Sequence, residues 1–261
     1  MPSRPQRPLA YRSRADAART VYGRALEDFL PLLPAEQILL RACRLGEVAK
    51  LGDAVPEVAD DNCRVRAAFL RFLLLGGDTR APVHEQGVRL MGACVDGLLH
   101  LGGCRILRSV DLKRCRFTRL LFAQDARIEG LLTLQGSLLA RGLNADRLHC
   151  AGLHLRHGFK AEGEVRLLGA RIDGVLDCQD GRFEAKAGRA FSADRVVVQG
   201  SAFFGGEFGA IGKVRLEGAQ IGGMLSCRGG QFEAKEGYAL STDNATDAAL
   251  GSSTRRSGPC A

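Results

Sequence analysis

Between residues 93 and 134, apolar and polar side chains alternate in short triplets rather than in long runs. In each triplet the first and third residues are apolar or small, and the middle residue is usually polar. The triplets are Ala93/Val95, Leu99/Leu101, Cys104/Ile106, Val110/Leu112, Cys115/Phe117, Leu120/Phe122, Ala126/Ile128 and Leu132/Leu134. Because alternate residues of a strand share a face, the pattern predicts a series of very short strands, each with one apolar side.

The spacing of the triplets predicts how these strands are arranged. Successive triplets begin 5 or 6 residues apart, and Gly, Asp, Gln or Arg usually separates them. Four triplets occupy about 22 residues, so we expect Ala93 to lie under Cys115, and Cys104 under Ala126. This spacing is too short for helices or for a meander of hairpins. It predicts a mainly β fold, a parallel β-helix of about seven coils that turns a corner after every triplet.

A longer sequence segment occurs twice in the chain. The stretch 165–194 recurs 49 residues later at 214–243, with 18 of 30 positions identical. Self-similarity at a fixed period indicates a repeat architecture, in which each unit buries its apolar face only by stacking on the next. A residue that occurs in both copies is therefore explained first by the needs of the coil.

The pattern of a small residue, any residue and then Leu, Ile or Phe, at nearly fivefold spacing, resembles the pentapeptide-repeat proteins. The phrases GEVRLLGARIDGVLDCQDGRFEA and GVRLMGACVDGLLHL are also similar to bacterial proteins that are sometimes labelled membrane-associated oxidoreductases. The resemblance covers roughly residues 45–243. It implies a right-handed, four-sided β-helix and, through that label, a redox activity at a membrane. The sequence departs from strict pentapeptides, because many steps are six residues long.

The chain is divided into four predicted regions. Residues 1–20 form a basic, disordered leader with five arginines and one acid, Asp16, and residues 21–82 form a helical N-terminal cap. Residues 83–243 form the β-helix, and residues 244–261 form a disordered tail in which the pattern is lost. The loss of the pattern after Asp243 predicts a truncated repeat with an open last coil.

Two helices are predicted in the cap. Pro34 is expected to begin the first, which runs to Leu45, since proline is tolerated in a first turn. Asp61 or Asn62 is expected to cap the second. Its apolar face is formed by Val65, Phe69, Phe72 and Leu73. Gly76 and Gly77 are expected to end it. The apolar stretch 67–75 is too short to span a bilayer. We expect it to cover the open edge of the first coil, with a helix at the membrane surface as the alternative.

A run of possible metal ligands lies in HCAGLHLRH: His149, Cys150, His154 and His157. Four nitrogen or sulfur donors within nine residues could bind zinc. Their spacing, however, matches no familiar site, and His149 and Cys150 align with two valines of the next copy. We predict ordinary strand residues and no metal, with Leu153 and Leu155 facing inward and with His154 facing outward.

Other polar residues recur with the coil. Asp146, Asp194 and Asp243 end the equivalent phrases LNAD, FSAD and LSTD. Recurring carboxylates could carry acid-base chemistry, but corners closed by bonds to backbone amides explain them more simply. The pairs Glu184/Lys186 and Glu233/Lys235 are likewise interpreted as solvated charges.

Cysteines and glycines give no sign of a cofactor. The chain has nine cysteines, no CxxC motif and no signal peptide, which favours reduced, buried cysteines in the cytosol. The run Gly206, Gly209 and Gly212 has GxxGxxG spacing and leads into a strand, whereas a dinucleotide site needs GxGxxG before a helix. We predict no cofactor and no catalytic residue.

These observations favour a non-enzymatic repeat scaffold for protein–protein interaction. The 37 basic and 29 acidic residues have the wrong balance for an acidic DNA mimic, and no strong nucleic-acid signal appears. The expected partner is an unknown protein or a second copy bound at the open C-terminal coil. A membrane-peripheral oxidoreductase or another β-helix enzyme is the alternative. The expected location is the cytoplasm, or the inner face of the membrane through the basic and helical N-terminal segment.

Overall fold

The computed structural model describes residues 25–247, except for the side chains of residues 186 and 187. The predicted leader, residues 1–20, and the tail beyond residue 247 lie outside these described residues. A short 3-10 turn, Leu26–Phe29, precedes helix α1 (Pro34–Leu45) and helix α2 (Ala67–Leu74). The rest is a β-solenoid of about seven turns, built from 26 short strands in parallel pairing.

Each coil contributes strands to four columns, which we name faces A to D in chain order. Face A contains β1 (Ala49–Lys50), β3 (Val88–Met91), β7 (Val110–Lys113), the ends of β10 (Arg127–Thr133) and β13 (His149–His154), β17 (Leu176–Asp177), β20 (Ala202–Phe203) and β23 (Leu225–Ser226). Face B contains β2 (Arg64–Arg66), β4 (Cys94–Asp96), β8 (Arg116–Phe117), β11 (Leu138–Leu139), β14 (Lys160–Ala161), the beginnings of β18 (Arg182–Ser192) and β21 (Gly209–Arg215), and β24 (Gln231–Glu233).

The other two faces complete each coil. Face C contains β5 (Leu99–His100), β9 (Leu121–Phe122), β12 (Leu143–Asn144), β15 (Val165–Arg166), the ends of β18 and β21, and β25 (Leu240–Ser241). Face D contains β6 (Arg105–Ile106), the beginnings of β10 and β13, β16 (Arg171–Ile172), β19 (Val197–Val198), β22 (Gln220–Ile221) and β26 (Thr246–Asp247). The core lies between the four faces and contains the inward residues of every coil.

The predicted stacking is confirmed. The amide of Arg116 donates to the carbonyl of Ala93 at 2.8 Å, which places Ala93 under Cys115. The amide of Arg127 donates to the carbonyl of Cys104 at 2.8 Å, which places Cys104 under Ala126. A repeat of about 22 residues therefore sets which side chains meet across neighbouring coils.

One predicted triplet is wrong. Leu121, not Leu120, pairs with Leu99 of the previous coil and points inward together with Ala123. Phe122 lies outside, with its ring centroid 4.8 Å from that of His100. The corner before this strand is one residue longer than the fivefold spacing suggested, because pairing with the coil below, rather than local spacing, sets the register.

The 49-residue repeat spans two coils. Val165 pairs with Phe191, Phe191 with Val214, and Val214 with Leu240, so that each copy of the phrase begins on face C. The extra residues of the longer coil lie where β18 shifts register against β21, between Glu184 and Arg189. On either side of the insertion, Phe183 pairs with Ala210 and Phe191 with Val214, so the register of the core is kept.

Left-handed backbone conformation recurs at the corner between faces C and D. One residue of each coil adopts a positive φ there: Gly103, Asp125, Arg147, Gly169, Arg195, Gly218 and Asn244. Non-glycine residues are uncommon in this region, although Asn and Asp tolerate it best. Asp125 and Arg147 occupy successive coils and form a two-bond ion pair, at 2.6 and 2.8 Å, along this corner.

The cap confirms the first predicted helix and corrects the second. Pro34 lies in the first turn of α1. Helix α2 begins at Ala67, so the predicted cap at Asp61 or Asn62 is wrong. The segment Arg64–Arg66 is a strand instead, because it pairs with Cys94–Asp96 and starts a partial coil ahead of the first full one.

The end of α2 and the position of the cap agree with the sequence-based expectation. Gly76 and Gly77 follow the helix with φ values of 107° and 68°. Helix α2 contacts β5, and α1 contacts β1, β2 and β3. Strands β1 and β2 cover part of the first coil's edge themselves, and β26 continues the pairing beyond Asp243.

One buried carboxylate joins the cap to the solenoid. The side chain of Glu36 in α1 is fully buried, and it accepts hydrogen bonds from the amides of Leu33 and Arg66, both at 3.0 Å. The Arg66 guanidinium donates to the same carboxylate from Nε at 2.8 Å and from Nη2 at 2.5 Å. Arg66 also donates to the carbonyl of Phe29 at 2.6 Å. Helix α1, the N-terminal turn and β2 are thus held by one cluster.

We expect Glu36→Gln to destabilise the protein by about 2–4 kcal/mol. The NH2 group of glutamine would face the hydrogen-bond donors that surround the carboxylate, and Arg66 would lose its buried negative partner. Chemical denaturation measures this loss. Glu27→Gln is the matched control, since Glu27 forms an exposed ion pair with Arg80 in the same cap. The control is expected to change stability by less than about 1 kcal/mol. Equal losses in the two variants would contradict the assignment.

Candidate functional site

The four predicted metal-ligand candidates do not converge. Cys150 points into the core and is fully buried. The imidazole of His149 contacts Asp173 on face D with an Nε2–Oδ2 distance of 2.8 Å. His154 lies on face A, and His157 is at the corner that follows it. Within residues 25–247, no cluster of three or more His, Cys, Asp or Glu side chains could hold a metal ion.

The directions of the neighbouring side chains are as predicted. Leu153 and Leu155 are fully buried, whereas His154 between them faces outward and is half-buried. Cys150 occupies the same inward column as Ile172 and Val198. The His-Cys run is therefore part of a coil wall.

The cysteines are packing groups. Eight lie in the described part of the chain, and six of them are buried. Burial raises the pKa of the Cys115 thiol to about 12, and it raises the pKa of Cys150 to about 12 as well. Because the thiolate is the reactive form, these side chains are poor nucleophiles at neutral pH.

Two of the three predicted corner aspartates, Asp146 and Asp194, bond to backbone amides as predicted, with one refinement, and Asp243 is exposed. Asp146 Oδ1 accepts a hydrogen bond from the amide of Leu168 at 3.1 Å, and Asp194 Oδ1 accepts one from the amide of Glu217 at 3.2 Å. The acceptor and donor belong to successive coils, so each aspartate ties one coil to the next. Arg166 forms an ion pair with Asp146 at 2.6 Å in the same contact.

The glycine-rich run also lies where the pattern predicted. Gly209 and Gly212 are in strand β21, and Gly206 is at the preceding corner with a φ of 65°. No helix follows, so the helix N-terminus that would bind a dinucleotide phosphate is not formed by this segment.

Face A carries a ladder of polar side chains that sequence reasoning missed. The register places Arg89, Asp111, Thr133, His154 and Asp177 in one outward column, each one coil above the last. A second outward column next to it contains Lys113, Gln135 and Arg156. A cavity of about 410 Å³ opens over both columns, and we name it the polar cavity.

Two breaks in the regular coil form the walls of the polar cavity. One wall is the turn with Glu85 and Gln86, and the other is Leu131, which projects where β10 shifts register. The hydroxyl of Ser109 accepts a hydrogen bond from the Leu131 amide at 3.2 Å. A Cβ at Gly130 would lie 2.4 Å from that hydroxyl oxygen, so glycine is needed for the wall to sit this close.

The charges in the polar cavity are only partly paired with each other. Lys113 Nζ lies 3.0 Å from Asp111 Oδ2, and Arg156 Nη1 lies 2.7 Å from Asp177 Oδ2. The other oxygen of Asp111, Oδ1, is buried and has no hydrogen-bond partner among the described residues. Burial lowers the pKa of His154, and the nearby Arg156 lowers it further, which favours the neutral imidazole at neutral pH.

A second feature is an apolar surface on the cap. Ile38 and Leu45 lie on the outer side of α1 and are 47% and 53% exposed. Arg41 and Arg44 stand between and beside them, and a shallow depression of about 360 Å³ lies here. Leu32 and Leu40 line it as well. We call this region the cap surface.

No family model, no curated protein and no solved structure matches the chain in comparisons with known proteins. Among the described residues, neither α1 nor α2 has the length and apolar character needed to cross a bilayer.

We expect His154 to titrate below the ordinary histidine value of 6.5, and Arg156→Gln to raise its pKa because a repelling charge is removed. A depressed folded-state pKa means that the unfolded chain binds the proton more tightly. The lowered pKa of His154 therefore makes stability depend on pH. The stabilisation from the neutral imidazole is present above pH 6.5 and is lost as the pH falls through the folded-state pKa. Histidine NMR titration of the native protein and of the Arg156→Gln variant measures the pKa of His154 in each. Arg171→Gln on face D is the control, and an equal shift there would contradict the assignment.

Proposed function

We propose that the protein is a non-enzymatic scaffold that binds another protein through the cap surface. The observation that carries the proposal is the exposure of Ile38 and Leu45 beside Arg41 and Arg44 on the outer side of α1. Large apolar side chains that share one face of a helix are typical of interaction sites. Arginine is enriched at such sites, both in the centre and near the rim.

The rigidity of α1 supports the same proposal. Glu36 fixes the inner side of the helix to Arg66, while Leu39 and Cys43 are buried against the first coil. A helix held in this way presents its outer face in one conformation. Binding to it costs less conformational entropy than binding to a flexible segment.

The outward charges of the solenoid are also consistent with a scaffold. On face D, Glu129 accepts bonds from both Arg105 and Arg127, each at 2.9 Å. On face B, Lys160 lies 3.3 Å from Glu162 and 3.2 Å from Glu184. These pairs stabilise stacking between coils, which explains the charges without a reaction.

Kinship with pentapeptide-repeat proteins and a cytoplasmic location belong to the same proposal. The four columns of short strands, with inward residues five or six apart, support the kinship. The free, buried cysteines favour a reducing compartment. The redox activity or other enzymatic activity that the resemblance implies stays a prediction that rests on the resemblance alone.

Photo-crosslinking in the native cells tests the cap surface. We expect Ile38→benzoylphenylalanine to form one dominant protein adduct, and Leu45→Glu in the same chain to reduce its yield by about tenfold, because a charge is placed in an apolar contact. Leu107→benzoylphenylalanine on face D, where Leu107 is 65% exposed, is the control. Equal adducts at positions 38 and 107, or none at position 38, would reject the proposal.

An anionic membrane surface is the second candidate, favoured by the charge near the cap. The first 24 residues contain six arginines and one acid, and they lead into the cap, where Arg41 and Arg44 flank apolar side chains. Apolar side chains combined with basic residues are typical of peripheral membrane contacts.

Vesicle flotation tests this second candidate on the full chain. Binding is expected to vesicles that contain phosphatidylglycerol and not to pure phosphatidylcholine, and to weaken as salt is added. Leu45→Glu should abolish it, whereas Leu107→Glu should leave it unchanged. Absence of binding to the anionic vesicles, or equal effects of the two substitutions, would reject the membrane contact.

A further inference from the structure

We propose that the polar cavity on face A is a binding site for a small, uncharged polyhydroxy ligand, a sugar or polyol. The site is independent of the cap surface. It combines a floor of polar side chains with walls that interrupt the repeat, and each part restricts the chemistry of the ligand.

The cavity is a built feature rather than a gap between equivalent coils. Leu131 has an irregular neighbour in the next coil, because β13 has only Ala151 where β10 has Glu129 and Gly130, and the register of the two strands shifts there. Ser109 and Gly130 hold Leu131 against the coil below through a hydrogen bond and a close backbone contact, an arrangement that recurs at Ser201, Gly223 and Met224, so the short corner of β13 is what distinguishes this wall. The Glu85 and Gln86 turn borders the cavity at the same corner of the coil, before β3.

The floor offers both donors and acceptors over a short distance. Asp111, Thr133 and His154 stack one coil apart, so that the outer two lie about 10 Å from each other. Asp111 is an acceptor with one oxygen that has no protein partner among the described residues, Lys113 is a donor beside it, and Arg156 is a donor two coils further along the face. A hydroxyl group both donates and accepts, so a ligand with several hydroxyls matches this alternation.

Charge balance opposes a strongly charged ligand. Three cations, Arg89, Lys113 and Arg156, face the cavity, and three acids, Glu85, Asp111 and the adjacent Asp177, offset them. The depressed pKa of His154 leaves its imidazole without charge at neutral pH. Because these opposite charges offset each other, the site has little net charge to attract an anion or a cation, so an uncharged ligand is favoured.

The apolar part of the lining is small. Leu131 is 41% exposed and stands at the wall, whereas Val110 is buried in the core under Leu132. Leu131 can contact the C–H groups of a sugar ring, but no phenylalanine, tyrosine or tryptophan lines the cavity for stacking. We therefore expect weak binding, with a Kd on the order of 1 mM.

Saturation-transfer NMR with the full chain tests the site, because it detects weak ligands. The probes are glucose, mannose, maltose and cellobiose, and glycine and inorganic phosphate are the charged comparisons. Saturation transfer is expected to at least one sugar and to neither charged probe. Asp111→Asn and the isosteric Thr133→Val are each expected to weaken the affinity for that sugar by about tenfold.

Asp173→Asn is the matched control, since Asp173 is an exposed carboxylate on face D that contacts His149. It should leave sugar binding unchanged, and circular dichroism establishes that each variant is folded. Transfer to none of the four sugars overturns the proposal. So does transfer that both cavity variants leave intact, or transfer confined to glycine or phosphate.

Discussion

Hydrogen bonds between successive coils are the constraint on which the rest of the structure depends. Because parallel strands pair in register, every residue has a fixed neighbour one coil above and one coil below. Inward columns must then be filled by residues that pack on copies of the same position, such as Cys150, Ile172 and Val198. Outward columns bring side chains within about 5 Å, so unpaired like charges would repel along a whole face.

The same ladder creates a problem at its ends, since the terminal strands carry unpaired backbone groups. At the N-terminal end, β1 and β2 begin an incomplete coil, and α1 and α2 pack beside it. The buried carboxylate of Glu36 bonds to the strand amide of Arg66 as well as to its guanidinium. A helix and a strand are thereby joined by side-chain chemistry where the ladder itself cannot continue.

Inward positions could be predicted from sequence because their pattern is local, with two apolar residues per triplet. The errors arise where distant pairing decides. Leu121 is inward because of Leu99, a full coil away, and local spacing could not show that. Arg64–Arg66 is a strand because Cys94–Asp96 lies beside it, although the apolar periodicity around it favoured a helix. The polar cavity was missed for the same reason, since its floor and walls come from separate coils.

A solenoid of equivalent coils has no unique place on its surface, and a binding site needs one. The residues that the repeat explains, such as Asp146 and Asp194, serve the stacking in every coil where they occur. Distinct chemistry can arise only where the repeat is interrupted. Here the described interruptions include the register shift before Leu131, the longer coil between Glu184 and Arg189, and the cap at the first coil. The polar cavity and the cap surface lie at the first and the last of these places, where the outward side chains no longer have equivalent neighbours on both sides.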